Sequence, residues 1–273
     1  MKDTFELNAP DDLRSEVRPI AGTRFPLLVV DNIYKRPEAV RELALSLDYE
    51  ALGPKSPGGR ASCPSDRVVR DLAEVIEHHV GDLYGWSSSQ VHPEAPVSSR
   101  FHRMRCKGAT SGSRVTMPHI DTVMLAGVVY LNLPDQCRGG TAFFRHRGTG
   151  VTQWRVRTRW EVAPNAARAA VDLGFDEVYR EGLRAGRWRS YDELRARIFD
   201  APSGEENFMS EGGPHWEQID RTEMRWNRLI CFPGFVFHTS LYDPSWFGDT
   251  PQSDRVIQNL LLNWPRRTHA SSS

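Results

Sequence analysis

Apolar residues recur along this chain with two different periods, and the change between them falls near residue 97. Before that point FPLLVVDNIY (25–34) carries the aliphatic and β-branched run of a strand. RPEAVRELALSLDYE (36–50) then spaces its apolar residues for a helix, and Pro37 suits the first turn, where a missing N–H costs no hydrogen bond. RVVRDLAEVIEHHVGDLYG (67–85) sets Val68, Leu72, Val75, Ile76 and Val80 on one helical face, with Gly81 near the end. Between the two helices, 51–66 is dense in Gly, Pro and Ser and predicts a loop. Past residue 97 short strand-length pieces take over, at 97–106, 125–133, 141–146, 228–234, 236–242 and 255–264. An Arg-rich stretch over 163–200 interrupts them with helical spacing.

The expected fold class is therefore mainly β with flanking helices, in a single domain spanning 1–273. Its N-terminal strand and helices give support over about 20–96, its β core covers about 97–150 and 226–265, and a helical insert fills about 151–225. Composition agrees with one folded unit: 39% hydrophobic, 10% aromatic and 8 Trp supply material for burial and exclude a disordered chain. Lys+Arg 35 balances Asp+Glu 35, so no global field draws the protein to nucleic acid or to an anionic membrane.

Cys63, Cys106, Cys137 and Cys231 show neither CxxC spacing nor a dense framework, which predicts free thiols in a reducing compartment. The start, MKDTFELNAPDDLRSE, is acidic where a signal peptide is basic and then apolar, and the runs LLVV and LIC are too short to span a bilayer. The expected location is cytoplasmic.

The candidate chemistry begins in MPHIDTVMLAGVVYLN (117–132). His119 and Asp121 lie at i and i+2, and in an extended backbone such side chains project from the same face. His238, in the distant strand FVFHTS, completes a set of two histidines and one carboxylate. That set occupies one face of an octahedron and leaves three positions open, which suits a redox-active Fe(II) better than zinc. An HxD pair alone arises often by chance, so the order of the surrounding features matters. HxD is followed by YLN at 130–132, GGTAFF at 139–144, His238, and Arg255 opening another strand.

In that order the chain resembles the Fe(II)- and 2-oxoglutarate-dependent oxygenases, closest in pattern to the prolyl-hydroxylase-like branch, over roughly 97–264. The resemblance implies a double-stranded β-helix, a jelly-roll or cupin-like core. It implies that His119, Asp121 and His238 ligate iron and form the catalytic set, with 2-oxoglutarate and O2 as co-substrates. It implies that Arg255 meets the distal carboxylate of 2-oxoglutarate through its planar fork, that Tyr130 supports the same carboxylate, and that Asn259 lines that pocket. Two departures stand out: Arg255 lies farther beyond His238 than the family's usual spacing, and the insert lengthens the path from the GG turn to His238. Asp121 retains the carboxylate that related radical halogenases replace, so halogenation is disfavoured.

RFHRMR (100–105) precedes HxD where the family contributes substrate contacts, making Arg103 and Arg105 candidates against the reading of a solvated edge. Asn132, Gly139 and Gly140 are expected to be structural, and His102, His146 and His215 to be non-ligands. Trp160, Trp188, Trp216 and Trp226 are expected to pack the core and insert. The expected function is hydroxylation of an unactivated C–H bond of a small molecule such as an amino acid or metabolite. The alternatives are a peptide or protein hydroxylase, a non-catalytic β-helix scaffold, and a Zn or Mn cupin-type enzyme.

Overall fold

The structure, a computed structural model, describes residues 4–52, 58–84, 98–104, 117–121, 123–154, 177–200, 212–241, 243–246 and 250–262. The fold among them is mainly β, with two antiparallel sheets and a few helices. The larger sheet has eight strands in the order β1 (Arg14–Pro19), β2 (Pro26–Asp31), β9 (Arg228–Pro233), β6 (Leu125–Tyr130), β11 (Arg255–Leu262), β5 (Ser98–Met104), β4 (Gly58–Ser62) and β3 (Glu50–Ala51). The smaller sheet has the order β10 (His238–Leu241), β7 (Gly140–His146) and β8 (Trp216–Glu223). Strands β6 and β9 are buried along their whole length, which is why LAGVVY and RLICFP read as nearly continuous apolar runs.

Side-chain alternation divides the interior into three cores. One face of the large sheet, with Leu28, Phe101, Val129, Cys231 and Leu260, packs under α1 (Pro37–Ser46) and α2 (Asp66–Tyr84) through Val40, Ala44, Val68, Leu72, Ile76 and Val80. Its other face, with Leu27, Val128, Tyr130, Phe232 and Ile257, meets Phe143, Phe235 and Val236 of the small-sheet side. The far side of the small sheet, with Ala142, Phe144 and Phe237, packs against Trp188, Leu194 and Ile198. The last two belong to a helix, Tyr191–Phe199, that Ser190 caps by accepting from Glu193 N at 3.1 Å. Each fully buried aliphatic or aromatic side chain contributes roughly 1.5–3 kcal/mol, and it is this layering that places the two sheets face to face.

The structure differs from the sequence reading at three places. The stretch 51–66 is not all loop: Gly58–Ser62 forms β4, whose GGRAS sequence lacks the apolar alternation by which strands are read. Helix α2 runs through Gly81 to Tyr84, and Gly81 is absent from the left-handed positions that end helices. Trp216–Glu223, inside the stretch read as helical insert, is a strand paired with β7. Its polar sequence WEQIDRTE follows from its place at the edge of the small sheet, where all its residues but Trp216 and Thr222 stay at least partly exposed. Helix is present at 177–184 and Tyr191–Phe199 as expected, while 163–176 and Trp160 lie outside the described residues.

Cys63, Cys137 and Cys231 are free thiols; Cys106 lies outside the described residues. No helix among the described residues is long and apolar enough to cross a membrane.

Candidate metal centre

Backbone pairing brings the remote segments of the site together. His119 N donates to His238 O at 3.0 Å and His238 N to His119 O at 2.9 Å, an isolated antiparallel bridge. Asp121 N donates to Gly234 O at 2.8 Å. A Cβ on Gly234 would meet Val123 O at 2.6 Å, so only glycine allows the two segments this approach.

The rings are then oriented by their own segments. His119 Nδ1 lies 2.9 Å from Met117 O, and His238 Nδ1 lies 2.8 Å from Val236 O. A carbonyl only accepts, so each Nδ1 donates and each neutral ring presents its lone pair at Nε2. His238 Nε2 is 3.4 Å from Asp121 Oδ2, and His119 Nε2 is 4.0 Å from Asp121 Oδ1. Each residue offers one donor atom, and all three lie within 4.8 Å of one another. Ligands at right angles on bonds of about 2.1 Å stand about 3 Å apart, so a single ion would need side-chain adjustments to be held by all three. The three could hold a metal ion.

Electrostatics favour the same states. Loss of hydration, with the neighbouring His238 ring, pushes the His119 pKa down and keeps the imidazole a neutral donor. Burial pushes Asp121 up, but its close contact with the His238 side chain and the nearby His119 and His102 rings outweigh it, so the carboxyl titrates below its usual range. A proton and a metal compete for these lone pairs.

The three donors line a cavity of about 360 Å³ between the sheets, whose walls include Ala126, Phe232, Ile257 and Leu261 with Thr141, Ser240 and Asn259 as polar groups. A larger cavity of about 780 Å³ lies between the N-terminal segment and α2 and includes His78 and His79. None of the three donors lines it.

Arg255 is fully buried at the start of β11, with Nη1 donating to Leu241 O at 2.8 Å and Nη2 to Gly140 O at 3.2 Å. Alternation puts it on the same face as Ile257 and Asn259, which line the cavity. Gly139 and Gly140 take φ of 69° and 148° in the turn that aims the Gly140 carbonyl at Arg255. Tyr130 is also fully buried, its Oη 2.8 Å from Thr141 Oγ1, and burial pushes its phenol up to about 12 despite the opposing charge of Arg255. Asn132 ties β6 to β11: its Nδ2 donates to Asp254 O at 3.0 Å and its Oδ1 accepts from Val256 N at 2.9 Å.

Residues 11–184 and 177–262 match the model of a family of unknown function, DUF6445. The chain belongs to that family. Two crystal structures of HygX from Streptomyces hygroscopicus resemble this DUF6445 chain, each with a TM-score of 0.39 and covering 88% of this chain and 82% of HygX. One, 11% identical, holds nickel and 2-oxoglutarate, and the other, 10% identical, holds nickel, 2-oxoglutarate and hygromycin B. The search of curated proteins returns no match. With so loose a likeness, the chemistry of the site has to come from its own side chains.

The placement of RFHRMR corrects one expectation. Arg103 does not line the cavity of this DUF6445 chain; it faces the helices, with Nε donating to Asp254 Oδ2 at 2.6 Å in a buried ion pair and its guanidinium 5.8 Å from the Tyr49 ring centre. The cause is register. Phe101 is buried in the helix-side core, so Arg103 follows it to that face, and His102 and Met104 turn to the cavity. Arg105 lies outside the described residues. His102 was missed as a cavity residue, although the apolar Phe101 beside it carried the signal. His146 and His215 stay outside the cavity, and Trp188 and Trp216 pack the third core as expected.

Proposed function

We propose that this protein is an Fe(II)- and 2-oxoglutarate-dependent oxygenase that hydroxylates a C–H bond of a small molecule, and that its two facing sheets form one domain with a double-stranded β-helix core. The observation that carries this reading is the convergence of His119 Nε2, His238 Nε2 and the Asp121 carboxylate, with both Nδ1 atoms already committed to carbonyls. Two neutral nitrogens and one carboxylate fit Fe(II): they leave net positive charge on the ion and coordination positions for other ligands. When bound, Fe(II) with 2-oxoglutarate and O2 supplies the oxidising equivalents for the hydroxylation.

The chain's own residues then hold and orient. His119, Asp121 and His238 would hold the metal. From His238 to Leu241, whose carbonyl holds Arg255, the strand advances about 10 Å at 3.3 Å per residue, a span suited to a five-carbon diacid. Arg255 would neutralise the far carboxylate through charge-assisted hydrogen bonds. Tyr130 would keep the Thr141 hydroxyl oriented beside it, and Phe232, Ile257 and Leu261 would exclude water from the reacting carbon.

Adding Fe(II) and 2-oxoglutarate without oxygen tests this directly, and a weak visible charge-transfer band is the expected result. Asp121→Ala should abolish both the band and uncoupled succinate formation, and Arg255→Ala should raise the 2-oxoglutarate requirement at least about tenfold. A wild-type protein that takes up Fe(II) and 2-oxoglutarate without a band points to a scaffold or to a Zn or Mn enzyme.

A further inference from the structure

Beside the cavity, the same face of β5 and β4 carries two arginines that the metal centre does not use, Arg100 and Arg60, which stand next to the lining residue His102 without lining the cavity themselves. Arg100 and His102 flank Phe101, whose side chain is buried on the helix side, so both project towards the cavity face. Register extends the group: Arg100 lies opposite Asn259 on β11, and His102 lies opposite Arg60 on β4. Residues paired across strands project to one face. His102 lies within electrostatic reach of Arg100, Asp121 and Arg60.

Two of these side chains have unused hydrogen-bonding capacity. Arg100 has no hydrogen-bond or ion-pair partner among the described residues, whereas Arg60 meets Glu50 at 3.7 Å in an exposed pair. Asn259 Oδ1 is buried and has no hydrogen-bond partner among the described residues, and Asn259 lines the cavity. Asn259 is four residues from Arg255, about 13 Å along the strand, so the two do not serve the same end of one small ligand. A cation beside an unpaired acceptor is complementary to a carboxylate beside a hydrogen-bond donor. An α-amino or α-hydroxy acid has that arrangement.

We propose that Arg100, with His102 and Asn259, binds the carboxylate end of the substrate, and that the substrate is a small α-amino or α-hydroxy acid. This rests on the oxygenase reading for the reaction but not for the binding. Arg100 takes the carboxylate, Asn259 Oδ1 accepts from the amino or hydroxyl group, and the rest of the molecule is directed along the cavity to the metal.

A free L-amino acid and its C-terminal amide differ in the carboxylate alone, which makes matched pairs the probe, with lactate and other short α-hydroxy acids and their amides alongside. Binding is followed in two ways: by ligand-observed NMR on the metal-free protein, and by perturbation of the anaerobic Fe(II) and 2-oxoglutarate band. At least one free acid should bind, its amide should bind at least about tenfold more weakly, and Arg100→Gln should weaken the acid by a similar factor. Arg100→Lys should lose less. Half-saturation by 2-oxoglutarate should stay within about twofold in both variants, since charge at Arg255 is unaltered.

Equal affinity for acid and amide, no binding of any acid, or a loss of 2-oxoglutarate affinity in place of acid affinity would overturn the assignment. Acid binding that depends on Arg100 in a protein without the band would support the carboxylate site and remove the oxygenase reading instead.

Discussion

Gln258 and Asn259 are neighbours on β11, both carboxamides, and alternation sends them to opposite faces of the large sheet. Gln258, fully buried under the helices, accepts from Tyr34 Oη at 2.6 Å and donates to Ser99 Oγ at 2.9 Å. Burial holds the Tyr34 phenol well above its ordinary pKa, so it remains a donor. Asn259, turned to the cavity, has a buried Oδ1 with no hydrogen-bond partner among the described residues. On the face covered by the helices Gln258 completes its hydrogen bonds internally, since an unmet buried group costs about 1–3 kcal/mol. A face turned to a cavity can leave that capacity for a ligand. Unmet atoms also occur elsewhere: among the described residues, Arg103 Nη2 on the covered face and His146 Nε2 are buried without a hydrogen-bond partner.

The covered face gives the largest expected effect. Asp254→Ala leaves the Arg103 guanidinium buried without its carboxylate and should cost about 3–5 kcal/mol in urea denaturation. Metal affinity should be unchanged, and a shift in it would show that the two faces are not independent. On the cavity face, Asp121→Ala should lower Fe(II) affinity at least about a hundredfold, close to 2.7 kcal/mol, in competition with a chromophoric chelator. Its melting temperature should change little, since that side chain is partly exposed.

The neighbouring amides break or sharpen the comparison most directly. Gln258→Leu strands Tyr34 Oη and Ser99 Oγ and should cost about 2 kcal/mol, whereas Asn259→Leu should be within about 0.5 kcal/mol of wild type or more stable. Equal costs would mean that Asn259 has a structural task. The smallest effect concerns pH. Burial, reinforced by His215, lowers the folded pKa of His146 below 6.5, so the unfolded chain binds a proton there that the folded one refuses. Stability should be full above pH 6.5 and fall as pH drops below it, and His146→Gln should flatten that slope by less than about 1.4 kcal/mol per pH unit, the limit for one proton.

The sequence by itself determined where the strands of the core and the two long helices run, because apolar period and backbone preference are properties of adjacent residues. It also marked His119, Asp121, His238 and Arg255 by their order. The tertiary structure decided which way those strands face. Arg103 and His102 differ by a single step on β5, and only Phe101 meeting the helix-side core sends the arginine to Asp254 and the histidine to the cavity. The same holds for β4 and β8, whose weak patterns become strands because distant neighbours supply their hydrogen bonds. Periodicity is local, but facing and pairing are settled by partners far along the chain, and this site is built from such partners.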